Sequence, residues 1–435
     1  MAEKNGPAAA PRPMTAPYGL LGRRLGHSWS PQIHERLGSS PYELVEREPE
    51  DVKTLVREGS WRGLNVTIPY KRDAARLADV RSPAVERLGA ANTLVRDGVG
   101  RIVAENTDVL GFAWMLARFC RDRLGESARD ALGGRKVLVL GSGGASQAVS
   151  YALSEVAGAV PRVISRSGED TYETLAERHG DAALLVNTTP VGMFPACPAS
   201  PVDDETLASL TGLRGVLDVV YNPCRTGICM AAERLGLPSE SGLPMLVAQA
   251  LYASELFQGR ELDDALVPTI EREIASRTQN VVLVGMPGAG KTTCGRLLAR
   301  ELGRPFVDLD EAIELECGRA PAQIIREDGE DAFREEETRV TGIYGGRSGL
   351  VIACGGGVVT RERNYPLLHQ NGAIVFLDRP VGELSDAGRP VSQAKGIERV
   401  ARERMGLYRS WADVTVACTG SAEGDAALAR ELLGL

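Results

Sequence analysis

At 435 residues the chain exceeds what one hydrophobic core usually serves, so two or three domains are expected, and its 43% hydrophobic and 25% charged residues exclude a disordered or fibrous polymer. A net charge of −8 argues against nucleic acid or an anionic membrane surface as the main partner, leaving small anions to be held by local Arg and Lys. Eight cysteines without a CxxC pair, the nearest being Cys224 and Cys229, make no zinc or disulfide pattern and read as buried or idle thiols of a cytoplasmic protein.

No apolar run approaches a membrane span, and residues 1–16, rich in Ala and Pro without a signal-peptide core, read as a disordered tail. From Tyr18 onward short apolar runs alternate with helical patterns, as in an α/β layer fold. Tyr18 to Gly22 reads as a strand, and Ser30-Pro31 as a helix start with Ser30 as N-cap, which leaves Ser28 in the connecting loop. Leu64 to Ile68 is a further strand, stopped by Pro69, so that Lys71 begins the next helix near a strand's carboxyl end, where α/β sheets keep their ligands. Ala91 to Arg96, an Asp97-Gly98 turn and a return strand lead to Glu105-Asn106-Thr107-Asp108 ahead of another helix.

Lys136 to Gln147 reads as strand, glycine turn and helix, with Gly141, Gly143, Gly144 and Ala145 placed to receive a pyrophosphate at a helix N-terminus. The next strand ends in Ser165-Arg166-Ser167, and Arg where an NAD site carries Asp or Glu favours the 2′-phosphate of NADP. Strands Ala183 to Val186 and Val216 to Val220 follow, then a helix from Met245 towards Phe257 and a closing helix from Leu262 to Arg277.

These residues resemble shikimate dehydrogenase from Tyr18 to Ser276. The strings are His27-Ser28-Trp29-Ser30-Pro31, Asn65 to Lys71, Ala91-Asn92-Thr93, Asn106-Thr107-Asp108, Gly141 to Ser146 and Leu246 to Ala250. The resemblance implies that Ser28 and Ser30 hold the substrate carboxylate, that Thr67, Asn92 and Gln249 contact its hydroxyls, and that Lys71 and Asp108 are the catalytic pair. It implies too that Tyr221 and the Gly242 region border substrate and nicotinamide, with Arg166 on the cofactor phosphate. The family's Asn-Arg-Thr cofactor string reads Ser165-Arg166-Ser167 here. Whatever the name, a ketone reduced by hydride must gain a proton, and a cationic Lys beside a carboxylate can polarise and donate.

Val281 to Thr293 is a phosphate loop: a buried strand, then Gly288 and Gly290 curling the backbone around an anion, Lys291 for the β and γ phosphates, Thr292 towards Mg²⁺, and Thr293 entering a helix that continues from Cys294 to Leu302. Pro305 to Asp310 reads as a strand whose alternate carboxylates, Asp308 and Asp310, leave it on one side, one for Mg²⁺ and one for an acceptor hydroxyl. Arg334 lies in an acid-rich helix that by itself reads as a solvated surface. Leu350 to Ala353 runs into Gly355-Gly356-Gly357, Ala373 to Leu377 is another strand, Arg389 sits in a loop, and Arg404 is near the end of a last helix.

From Asn280 to Leu435 the chain resembles shikimate kinase. The resemblance implies Lys291 and Thr292 on ATP phosphates and Mg²⁺, Asp308 in the outer magnesium shell, Asp310 on the acceptor hydroxyl, Arg334, Arg404 and Gly355 to Gly357 on shikimate, and Arg389 as lid arginine. The lid is shorter than the family's by on the order of ten residues, and the lid Arg that covers the adenine has no counterpart. The expected architecture is thus α/β throughout: a substrate domain at 17–110 with 243–276, a Rossmann-type NADP domain at 111–242, and a P-loop kinase domain with a parallel sheet at 280–435. The expected activity is reduction of 3-dehydroshikimate with NADPH followed by phosphorylation of shikimate by ATP and Mg²⁺. Two other readings are a kinase-like half that senses nucleotide without turnover and an NAD-dependent quinate dehydrogenase, the latter disfavoured by Arg166. Neither membrane nor nucleic acid is an expected partner, and oligomeric state is not legible.

Overall fold

The computed structural model describes residues 13–26, 28–384 and 396–435. They form two compact units: one takes in the described residues up to Thr189 with Asp204–Val219 and Leu235–Arg272, the other Pro190–Asp203, Val220–Arg234 and the described residues from Glu273 onward.

The first unit carries two sheets. Strands β1 (Tyr18–Gly22), β2 (Tyr42–Glu46), β3 (Gly63–Val66), β4 (Val80–Arg81), β5 (Thr93–Arg96) and β6 (Ile102–Glu105) assemble in the order β2-β1-β3-β5-β6-β4. Pairing of β5 with β3 and β6 is antiparallel and aligns Asn65, Thr93 and Glu105 across the sheet, which gathers the segments after β3, before β5 and after β6 at one end. The expected tail is shorter than residues 1–16: Met14 is buried in the core of this sheet, and the Thr15 and Ala16 N–H groups donate to the Glu43 carboxylate. Residues 1–12 lie outside the described residues.

The second sheet, β7 (Lys136–Leu140), β8 (Val160–Ile164), β9 (Leu184–Asn187), β10 (Val216–Asp218) and β11 (Ser239–Glu240), is all parallel in the order β11-β10-β9-β7-β8. Counted along the chain this is 2-1-3-4-5, a doubly wound order whose direction reverses between β7 and β9, directly above the Gly141 turn. Helices Thr107–Phe119 and Leu243–Gln258 pack closely between the sheets, and the Leu243–Gln258 helix is apolar enough that nine of its residues are buried.

The second unit holds the parallel sheet β12 (Asn280–Val284), β13 (Phe306–Asp308), β14 (Val351–Ala353), β15 (Gly372–Asp378) and β16 (Val414–Ala417), ordered β13-β14-β12-β15-β16. Every residue of β12 is buried; Val282 and Val284 face one core, Val281 and Leu283 the other, which is why Val281 to Val284 read as an unbroken apolar run. The Val220–Arg234 segment packs within this unit. Its Arg225 N–H donates to Gln370 O at 2.8 Å, Arg225 Nη1 to His369 O and Gly372 O at 2.9 and 3.1 Å, and the Cys224 N–H to Asn371 Oδ1 at 3.1 Å.

Three local expectations are corrected. Ser30 is the first residue of its helix and not the cap; Trp29 holds the cap position, and Ser28 Oγ accepts the Ser30 N–H at 3.2 Å. Asp308 ends β13 and caps the following helix, Leu309–Cys317, by accepting the Asp310 N–H at 3.0 Å, so Asp310 stands in a helical first turn and not on a strand. A short polar side chain at a strand end stabilises that switch better than another strand residue would. The closing helix runs from Leu266 to Thr278, and only Gln279 separates it from β12.

Candidate active sites

In the first unit Lys71 opens the Lys71–Leu77 helix and Asp108 is the second residue of Thr107–Phe119. The sheet end described above brings them together: Lys71 Nζ donates to Asp108 Oδ2 at 2.6 Å, and Asn92 Nδ2 donates to Asp108 Oδ1 at 2.9 Å. Asn92 Oδ1 in turn accepts the Thr107 N–H at 2.7 Å, so the amide is oriented from both ends. With side chains 26% and 18% exposed, Lys71 and Asp108 are open enough to meet a ligand and buried enough to stay paired.

Ser28 Oγ donates to Ser30 Oγ at 3.1 Å, and Ser30 lies within hydrogen-bonding reach of the Tyr42 hydroxyl. Tyr42 donates to Asn65 Oδ1 at 2.8 Å, Asn65 Nδ2 to Thr93 Oγ1 at 3.1 Å, and Thr93 Oγ1 to Asn92 Oδ1 at 3.2 Å. A polar chain therefore joins the serine pair to the Lys71–Asp108 pair. Tyr42 and Asn65 are members that the sequence reading assigned no role; Asn65 carried a signal, an amide inside an apolar strand, whereas Tyr42 carried none. Burial raises the Tyr42 phenol well above its ordinary value and keeps it a donor. Thr67, half-buried, is held by its N–H on Leu21 O, and Gln249 Nε2 donates to Leu246 O at 2.9 Å while Thr107 Oγ1 reaches its Oε1 at 3.5 Å.

Gly141 turns at φ +102 after β7, a conformation L side chains rarely adopt. Gly143 caps the Gly144–Ala157 helix, Ala145 lies in its first turn, and a Cβ added at Gly143 or Gly144 would meet open space, so the helix end is accessible to an anion. Ser165, Arg166 and Ser167 follow β8 in a loop rather than ending the strand, because pairing with β7 stops at Ile164; Arg166 and Ser167 are exposed, and Ser165 Oγ donates to Ser167 O. Gly242 approaches Val219 so closely that a Cβ would fall 2.1 Å from its carbonyl oxygen. Tyr221 packs in the second unit, where burial raises its phenol.

The second unit brings its expected residues into one cleft of ≈ 480 Å³, with Gly288, Gly290, Lys291, Thr292 and Thr293 on one wall and Asp308, Asp310, Arg334, Gly355, Gly356, Gly357 and Arg404 around the rest. Lys291, buried, donates from Nζ to Gly285 O and Met286 O at 2.8 and 3.0 Å. Thr292 Oγ1 donates to Asp308 Oδ2 at 2.7 Å. A hydroxyl beside a carboxylate at a phosphate loop fits Mg²⁺, which takes one or two protein oxygens and completes its shell with phosphate and water. Among the described residues no group of three or more His, Cys, Asp or Glu gathers for a metal.

Arg334 is not on a solvated surface. It is 5% exposed, with Nη1 on Glu337 Oε2 at 2.7 Å and Nη2 on Glu330 Oε1 at 3.3 Å. Burial pushes the Glu337 carboxyl up against the pull of Arg334. A Cβ at Gly357 would collide with the Arg334 guanidinium at 2.1 Å, which explains a glycine there. Arg404 Nη1 donates to Gly356 O at 2.9 Å, and the Tyr408 hydroxyl donates to the same oxygen. Glu337 and Tyr408 were missed by the sequence reading; Glu337 sits three residues after Arg334, a helical spacing that could have paired them. Arg389 lies outside the described residues.

Two family models match the chain: the shikimate dehydrogenase substrate binding domain over residues 20–94 and shikimate kinase over residues 287–433. A shikimate dehydrogenase (NADP(+)) of Clostridium beijerinckii is 33% identical over 272 residues, covering 57% of this chain and 94% of that protein. One from Oleidesulfovibrio alaskensis is 36% identical over 265 residues, covering 56% and 90%. Among solved structures, a chorismate mutase/shikimate 5-dehydrogenase fusion protein of Clostridium acetobutylicum is similar at 32% identity with a TM-score of 0.54, covering 60% of this chain and 97% of that one. A quinate dehydrogenase of Corynebacterium glutamicum in complex with NAD is similar at 29% identity and TM-score 0.50, covering 58% and 97%.

Proposed function

Because the chain belongs to the shikimate dehydrogenase family and continues into a shikimate kinase domain, we propose that it catalyses two consecutive steps, reduction of 3-dehydroshikimate to shikimate with NADPH and transfer of a phosphoryl group from ATP to shikimate. The observation that carries the first step is the Lys71–Asp108 contact at 2.6 Å, held by Asn92.

In the first step NADPH, when bound, supplies the hydride. Lys71 donates a proton to the oxygen that becomes the alcohol and is left as the neutral amine, while Asp108 keeps its Nζ aimed at that oxygen. Ser28 and Ser30 present hydroxyls to the substrate carboxylate, and Thr67, Asn92 and Gln249 contact its hydroxyls. Gly141, Gly143, Gly144 and Ala145 would receive the cofactor pyrophosphate in a Rossmann-type site, Arg166, Ser165 and Ser167 would hold the 2′-phosphate, and Gly242 would border the nicotinamide. Arg166 favours NADP over NAD, and so a 3-dehydroshikimate reductase over a quinate dehydrogenase using NAD.

In the second step Lys291 shifts from the loop carbonyls to the β and γ phosphates. Thr292 and Asp308 would hold Mg²⁺, which when bound would neutralise phosphate charge. Asp310 accepts the hydrogen of the attacking hydroxyl, while Arg334, Arg404 and Gly355 to Gly357 fix shikimate by its polar groups. By the family resemblance Arg389 stabilises the transferring group. We place both reactions in the cytoplasm, where eight free cysteines stay reduced, with small molecules as the partners.

The test is one mixture of protein, 3-dehydroshikimate, NADPH, ATP and Mg²⁺, followed at once for NADPH loss and ADP release. Loss of NADPH should come first and ADP should follow in equal amount. NADPH loss without any ADP, even with shikimate supplied, would instead fit a nucleotide-sensing second half.

A further inference from the structure

Arg379 plays no role in the two sites as described. It follows the last residue of β15, the strand paired with β12, and so reaches the base of the phosphate loop from the side opposite β14. Its side chain is 16% exposed. Nε donates to the Ala289 carbonyl oxygen at 3.3 Å, Nη2 to Asp425 Oδ2 at 3.0 Å, and Nη1 lies 3.6 Å from Glu383. Asp425 is itself buried, and its Oδ1 accepts from Thr419 N and Oγ1 at 2.6 and 2.9 Å. The guanidinium is thus fixed before it touches the loop.

A trans peptide is planar, so its C=O and N–H point in opposite directions. The Ala289–Gly290 bond is trans, and whatever holds the Ala289 oxygen on one side turns the Gly290 N–H to the other. The lining of the cleft agrees: Gly290 and Lys291 face it, Ala289 does not. Gly290 is also the residue ahead of the Lys291–Leu302 helix, at φ +94, where the backbone is free to rotate unless held. With two carboxylates around it, Arg379 adds no net positive field, so its effect is on direction rather than charge.

We propose that Arg379 is a positioning residue for phosphoryl transfer: by grasping the Ala289 carbonyl from outside the phosphate loop, it aims the Gly290 N–H at the nucleotide phosphates. This rests on the kinase reading given above. The direct probe is inorganic tripolyphosphate with Mg²⁺, which has phosphates and no base, measured by calorimetry beside ADP on the full chain. Arg379→Ala should weaken both ligands by the same factor, about 5- to 10-fold, as expected when one hydrogen bond to a charged ligand is misaimed and keeps part of its strength. Arg379→Lys keeps the charge without the planar fork that reaches Ala289 and Asp425 together, and should stay weakened. The KM for shikimate and the rate of NADPH oxidation should not change.

Unaltered tripolyphosphate binding in Arg379→Ala, with or without a lower melting temperature, would overturn the proposal. So would a loss confined to ADP, which would set Arg379 against the nucleoside instead. A wild-type chain that binds tripolyphosphate, loses it on Arg379→Ala, and still phosphorylates nothing would uphold the loop geometry while overturning the kinase reading.

Discussion

Arg166 stands exposed in the loop after β8, so the effect on cofactor choice proposed for it is that of a single charge-assisted bond, about 1.5–3 kcal/mol or roughly 10- to 150-fold. Arg166→Ala should weaken NADPH by that order and leave NADH nearly untouched; equal losses in the two KM values would refute the assignment. His34 poses a different question of charge. It is fully enclosed between Tyr42 and Phe257, with Nδ1 at 3.0 Å from Ser254 Oγ, and burial pulls its pKa from 6.5 to about 3. Unfolding restores the higher value, so between these limits the unfolded chain binds the extra proton and stability rises with pH. The contribution is complete above pH 6.5 and is lost as pH falls towards 3, by about 2 kcal/mol at pH 5. Melting curves from pH 7 to 5 should therefore be flatter for His34→Gln than for the wild type, and parallel slopes would exclude the buried imidazole as a source. Lys71, Asp108 and Lys291 were legible in the sequence because each sits in a short contiguous string beside a strand end. Tyr42 and Glu337 were not, since a Tyr on a distant strand and an acid in a charged helix gain meaning only from what the fold brings against them.

Among the elements, the contact between helices Thr107–Phe119 and Leu243–Gln258 decides how the side chains proposed to meet substrate, Asp108 and Gln249, are held. Gly111 lets them meet: a Cβ there would lie 2.7 Å from Gln249 Cβ and from Met245 O. Gly111→Ala gains about 1 kcal/mol of helix propensity but must push the packed helices apart, an overpacking cost of about 1–3 kcal/mol. The variant should be less stable and, because Gln249 is displaced with its helix, show a raised KM for 3-dehydroshikimate at unchanged KM for NADPH; rising KM for both would point to general distortion. Sequence periodicity found most strands here, since after their polar first residues, Lys136 and Asn280, β7 and β12 are apolar runs in parallel sheets. It fails at Asp308-Leu309-Asp310, where alternation reads as strand and the first carboxylate instead caps a helix. Capping and alternation use the same residues, and only the backbone distinguishes them.

For the whole molecule, the two lysines proposed as catalytic belong to separate compact units, Lys71 to the first and Lys291 to the second. Lys71→Ala should remove most reduction and spare ADP formation from added shikimate, and Lys291→Ala should do the reverse; a folded variant that loses both activities would show that the units do not work independently. The order of activities along the chain was legible, because each string of residues is local. The membership of Val220–Arg234 in the second unit was not, because nothing near Arg225 in sequence announces partners at Gln370 and Gly372. Those partners are up to 147 residues downstream of Arg225, so on a ribosome moving at about 5–20 residues per second the guanidinium waits roughly 7–30 s for them to be made. During synthesis the two sheets of the first unit are therefore fully translated while this segment still lacks its partners, and its docking waits on a strand born later in the chain.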